Sequence, residues 1–165
     1  MAADMFLDLE GIEGESTDKN HLKEIDVEGF SWGAIGGRPG FAESARPIRS
    51  GPELRNIEVV KEVDRSSPTL YTFLFRGTVI QTGCLTLRKS GKVPLPFLVI
   101  RFKNLIIEDL TTQGGGAGGD VPTERLKLSF ERVSFEYTPQ KQDGSAAGGA
   151  VIAAWSVPEA TPTFG

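Results

Sequence analysis

The sequence predicts a mainly β fold: a small β-barrel of two curved antiparallel sheets, with one short docked α-helix and a long extended loop. Apolar residues recur at every second position in short runs, the spacing of strands that turn one face inward. Those runs are separated by 20 Gly and 10 Pro in 165 residues, more punctuation than a helical bundle tolerates. In two of the runs the inward parity changes along the strand, as it must where a sheet bends into a barrel. The length suits a single domain over residues 1–165 with one core.

In chain order, the first run places Met5, Leu7 and Leu9 on one face and Phe6 and Asp8 on the other. The second turns Ile25 and Val27 inward, then Phe30 and Trp32. One extra residue is therefore needed near Glu28-Gly29, and a β-bulge there restores the register. Residues 33–52 carry Gly36-Gly37, Pro39, Gly40, Pro47, Gly51 and Pro52 and read as an extended loop, either mobile or used for contacts.

A short helix follows over 66–77. Ser67 suits its cap and Pro68 its first position, while Gly77 supplies a left-handed stop. Leu70, Phe73 and Leu74 share a face, and so short a helix needs docking to persist, here as a plug in one end of the barrel. Strands then come at about 79–87, 97–107, 124–137 and 151–157. The second parity change falls between Leu126, Leu128 and Phe130 and the set Val133, Phe135 and Tyr137. Pro94 and Pro96 remove two donors from the same side of their strand, so that side is free or irregular. Residues 111–122 form a Gly-rich loop.

Net charge is −4, which argues against a protein whose main task is binding nucleic-acid phosphate. Cys84 stands alone, so the fold does not depend on an internal disulfide and cytosolic folding is expected. The N-terminus has no basic n-region followed by an apolar core, and no apolar run approaches the ~20 residues that span a bilayer. Neither a signal peptide nor membrane insertion is expected.

Motifs for chemistry are sparse. Gly114, Gly116 and Gly119 satisfy G-x-G-x-x-G, but Asp120-Val121-Pro122 and an alternating strand follow where a nucleotide site needs a helix. A hairpin loop is the better reading. His21 is the only histidine, in the polar stretch Asp18-Lys19-Asn20-His21, which excludes a multi-imidazole zinc site and suits a turn or interface hydrogen bond. Cys84 reads as a small buried apolar residue. Glu24, Asp26 and Glu28 read as the solvated side of a strand, and Trp32 and Trp155 as core. No catalytic residue, cofactor or metal ligand is expected.

A specific likeness runs through the chain: Met5-Phe6-Leu7, Gly11-Ile12-Glu13-Gly14-Glu15-Ser16 with His21, Glu24-Ile25-Asp26-Val27 and Phe30-Ser31-Trp32-Gly33. It continues through Asp64-Arg65-Ser66-Ser67-Pro68, Leu85-Thr86-Leu87-Arg88-Lys89 and Tyr137-Thr138-Pro139-Gln140 to Trp155. In these motifs the chain resembles the hemolysin-coregulated protein family, which forms the inner tube of the bacterial type VI secretion machine. The resemblance implies subunits that close into hexameric rings and stack into a tube, made in the cytoplasm and expelled through the apparatus without a signal peptide. Implied partners are copies of the chain itself, the contractile sheath, the spike and small effectors carried in the lumen. Ser31 is the implied lumen and cargo contact. Arg38, Pro39, Phe41, Arg46 and Arg49 lie in the loop implied to reach the next ring; its arginines and prolines depart from the family's more purely Gly/Ser composition. The competing expectation is a monomeric β-barrel that binds a small ligand beneath the 33–52 loop.

Overall fold

The computed structural model describes residues 3–36, 39–41, 47–49, 51–90, 94–115 and 118–165, with 39–41 and 47–49 followed along the backbone alone. Its main body is one eight-stranded antiparallel sheet. The strands are β1 (Ala3–Leu9), β2 (Ile25–Val27), β3 (Gly29–Ser31), β8 (Ile57–Glu62), β9 (Ile80–Lys89), β10 (Pro96–Gln113), β11 (Thr123–Tyr137) and β12 (Val151–Ser156). They run in the order β2-β1-β9-β10-β11-β8-β3, with β12 added beside β11. Both ends of that order are halves of one chain segment. β2 pairs with β1 and β3 with β8, and only Glu28 separates them, its N–H donating to Val60 O at 2.8 Å. The sheet thereby wraps into a nearly closed barrel, and the irregularity expected at Glu28-Gly29 is its seam.

Inside lie Leu7, Leu9, Ile25, Leu85, Phe102 and Leu126, each at most 1% exposed. Phe6 is also buried, on the outer face of β1, because the β1–β2 connection straps over it. His21 stacks flat on its ring at 4.3 Å between centroids, and Arg88 lies 4.9 Å from the ring centre. The strap is tight enough that a side chain at Gly14 would meet Glu24 O at 2.4 Å.

Parity does change within β11, between Phe130 and Val133, and the neighbouring strands turn with it. Asn104 of β10, at φ 54°, and Glu131 of β11 drop out of the ladder together, and Gln81 of β9 is skipped in the same row. Asn104 Nδ2 donates to Glu131 at 2.8 Å. Asn tolerates the left-handed backbone better than most residues, so one row forms a corner across three strands. β10 runs on to Gln113, past the expected end near 107, after a register shift between Ile107 and Asp109. Pro94 precedes β10, and a second register shift towards β9 falls between Pro96 and Leu98.

Helix α1 (Ser66–Arg76) buries Leu70, packs Phe73 and Leu74 against the core and ends at Gly77, φ 63°. Its start differs from expectation. Ser67 is inside the first turn and not at its cap; the Asp64 carboxylate accepts the Ser66 N–H at 2.9 Å, and the Ser67 hydroxyl in return accepts the Asp64 N–H at 3.0 Å. The Ser67 hydroxyl is drawn downward, donating to Glu124 at 2.9 Å and accepting from Lys61 at 3.3 Å. Two short ladders occupy the 33–52 region: β4 (Ala34–Ile35) with β7 (Glu53–Leu54), and β5 (Pro39–Phe41) with β6 (Pro47–Arg49). Both ladders of this arm are antiparallel.

Candidate assembly surfaces

Ser31 projects outward, exposed, from the end of β3, opposite the partly buried Phe30 and Trp32. Its cross-strand partner is Glu58, whose own partner on β11 is Lys127, in turn opposite Asp109 of β10. These four residues make a polar row across four strands. Glu58 accepts from Arg125 at 3.1 Å and lies 4.0 Å from Lys127, so the charges on this face are mutually compensated. Such a surface has no single sign of field and no bulky apolar contact.

Of the residues expected to contact a neighbouring ring, Pro39 and Phe41 fall on β5 and Arg49 on β6. Arg38 and Arg46 lie outside the described residues.

The third surface is made by β12. β11 pairs with β8 over Thr123 to Leu128 and with β12 over Arg132 to Tyr137, so β12 extends the sheet beyond the barrel. It is an edge strand: β11 pairs with one side of it, and on the other side, among the described residues, only Ser156 is paired, in a bridge to Thr161 with its N–H donating to Thr161 O at 2.9 Å. Trp32, Leu54, Phe135, Ala153 and Trp155 line an apolar recess beside it. The indole N–H of Trp32 donates to Arg55 O at 3.0 Å, and its ring packs near Phe130 and Phe135. Both tryptophans thus stand at the margin of the core, partly covered. Val151 is 67% and Ile152 58% exposed.

Charged groups also occur where the alternation places apolar ones. Lys61 follows Ile57 and Val59 at the inward phase of β8, and Glu124 precedes Leu126 and Leu128 at that of β11. The two are cross-strand partners with Nζ and Oε2 2.7 Å apart, 0% and 1% exposed, beneath the start of α1. Lys61 also lies 3.0 Å from Asp64. Thr112 donates to Glu124 at 3.0 Å and its hydroxyl meets that of Tyr71 at 2.6 Å. Every polar group in this cluster has a partner, as burial requires. The signal was available in the sequence as a charge in phase with apolar neighbours on two strands.

Other polar residues depart from the reading of them as solvated. Glu24 accepts from or donates to His21 Nδ1 at 2.9 Å, and burial pushes its carboxyl above the ordinary value despite that contact. Asp26 is likewise raised, first by burial and then by the charge of Asp64, with Glu15, Glu28 and Glu62 around the same recess. His21 serves the strap. Cys84 is half-buried and faces outward, opposite Asp8 on β1 and Arg101 on β10, not into the core. Gly83, Leu85 and Leu87 hold the inward phase of β9, which leaves the thiol outside. Burial raises its pKa, so it stays protonated. Among the described residues, no group of three or more His, Cys, Asp and Glu side chains is placed to hold a metal ion. No helix there is long and apolar enough to cross a membrane.

The family model described as Type VI secretion system effector, Hcp, matches residues 6–137. Protein hcp1 of Pseudomonas aeruginosa is 33% identical over 158 residues, which cover 95% of this chain and 96% of that one. Among solved structures, a type six secretion system protein superposes with a TM-score of 0.89 at 27% identity, covering 97% of this chain and 99% of its own. Hcp1 from Salmonella typhimurium follows at 0.79 and 28%, covering 99% and 100%. A type VI secretion system effector from Yersinia pestis gives 0.73 and 28%, covering 93% and 100%. With a family match and a curated relative that each span most of its length, the chain belongs to the Hcp family of the type VI secretion system.

Proposed function

We propose that this chain is a structural subunit that closes into hexameric rings, which stack into the inner tube of the type VI machine and are expelled with it. The observation that carries the reading, beside family membership, is surface area. The chain exposes 10167 Å². A compact monomer of its 17.8 kDa shows roughly 8,000 Å², so the excess is about 2,200 Å². A ring subunit meets two neighbours through different faces, and two interfaces of standard size remove about 1,600 Å² from it. On this reading the 33–52 arm, with Arg38, Pro39, Phe41, Arg46 and Arg49, reaches the next ring. The polar row with Ser31 lines the lumen, where effectors are held. Sheath and spike are the further partners, and the mechanism is assembly and expulsion without a chemical step.

Light scattering coupled to size-exclusion chromatography tests this. Six copies give about 107 kDa, against 17.8 kDa for one chain. A monomer mass at micromolar concentration removes the ring and favours the ligand-binding barrel. That alternative has less support, because the barrel interior is filled by side chains and the recess beside β12 lies outside it.

A further inference from the structure

The geometry points to β12 and the recess beside it as the face on which the next copy of this chain docks within a ring. The inference rests on the ring reading and adds to it the residues of one interface. Apart from Ser156, which bridges to Thr161, the outer row of β12 backbone N–H and C=O groups has no strand partner among the described residues. Proteins that remain monomeric blunt such edges with charges, prolines or bulges. β12 has none of these: from Gly144 to Pro158 the chain holds no charged residue, and no proline precedes Pro158, although a quarter of the whole chain is charged.

The sheet face turned towards the barrel is also left uncovered here. Val133, Phe135 and Trp155 point to the core side and Ala153 lines the recess, but past them Val151 on β12 and the 46%-exposed Tyr137 on β11 have no layer across from them among the described residues. An apolar sheet face is stable only against another layer. What fits is an extended, uncharged segment that adds to the edge by main-chain hydrogen bonds and lays apolar side chains into the recess. A second copy is the occupant the surface favours. Interfaces within homo-oligomers are the more apolar ones, and the area in excess of a compact monomer is enough for the two contacts a ring subunit makes, of which this is one. The polar row at Ser31 offers no comparable surface.

The test is Val151→Lys/Ile152→Lys, which changes two side chains already exposed to solvent and should leave the fold intact. Phe75→Lys on α1, where Phe75 is 78% exposed, is the control for added charge at an apolar surface residue. Mass by light scattering and amide exchange by mass spectrometry are read on each. The expected result is a wild-type ring, a Phe75→Lys ring, and a Val151→Lys/Ile152→Lys monomer with unchanged far-ultraviolet circular dichroism. Residues 151–156 should exchange at least tenfold faster in that monomer than in the ring. A wild-type ring with an unchanged double-variant ring overturns this inference and leaves the ring reading standing. Dissociation by Phe75→Lys as well, or equal exchange of 151–156 in both states, overturns it too. A wild-type monomer overturns both.

Discussion

Replacing Lys61 with Met tests whether the buried charge cluster holds helix α1 to the barrel. Its ammonium group lies 2.7 Å from Glu124, 3.0 Å from Asp64 and 3.3 Å from the Ser67 hydroxyl, with the side chain fully buried. Met fills nearly the same volume, so little cavity cost is added. What remains is the Glu124 carboxylate, 1% exposed, with two hydroxyl donors and no positive charge. Stranding one member of a buried pair costs about 3–5 kcal/mol, and the two hydroxyls keep this case near about 3. For a domain of this size that is a fall of roughly 6–12 °C in melting temperature. The double variant Lys61→Met/Glu124→Leu removes both charges and should lie within about 1 kcal/mol of wild type, so the coupling between the sites is large and favourable. Thermal melts by circular dichroism, at one protein concentration because oligomers melt concentration-dependently, give both numbers. A Lys61→Met loss below about 1 kcal/mol, or a double variant that loses the sum of the two single changes, refutes the reasoning.

Further outcomes follow from the surface residues. Ser31→Gln should leave rings assembled, because the residue is exposed and its neighbours are compensated charges. Recovery of a co-expressed lumen cargo should fall, and disrupted rings would move Ser31 to a subunit interface. Cys84→Ala should cost no more than about 1 kcal/mol and keep the ring, since the thiol is half-buried outside the core. In the wild type that thiol should react with iodoacetamide at pH 7 more slowly than free cysteine, because burial raises its pKa. Asp26→Asn should raise the melting temperature at pH 7. The folded state holds the Asp26 pKa above its ordinary value of 3.8, so it favours the protonated form, and that contribution is lost as pH rises through the folded value. The gain from Asn should vanish below pH 3.8; a loss at pH 7 would show that the carboxylate is used by a cation.

Much of the barrel was legible because alternation is a local signal. The two faces of β1, the seam near Glu28, the apolar face of α1, its Gly77 stop and the parity change in β11 all depend on residues close in sequence. Ser67 was misplaced as the cap for the opposite reason: its hydroxyl accepts the Asp64 N–H from within the first turn while donating to Glu124, 57 residues away. Cys84 was misplaced by residue type, although the alternation of Gly83, Leu85 and Leu87 puts it outside. In the arm, Gly and Pro mask the ladders, since pairing there uses backbone groups and leaves no apolar period. The β12 face could not be read at all. It exists because β11 exchanges β8 for β12 halfway along, a choice of partners that no short window contains.

The one-residue seam between β2 and β3 sets a rule about length that is blind to chemistry. Glu28 contributes its backbone N–H to Val60 O, and its side chain has no part in that bond. Almost any residue can therefore stand at position 28, but the number of residues cannot change. Deleting one would put Phe30 and Trp32 on the face that now carries Ser31, and adding one would do the same while slackening the closure. In any set of related chains, this junction should vary freely in letter and stay constant in count, whereas a surface loop would be free in both.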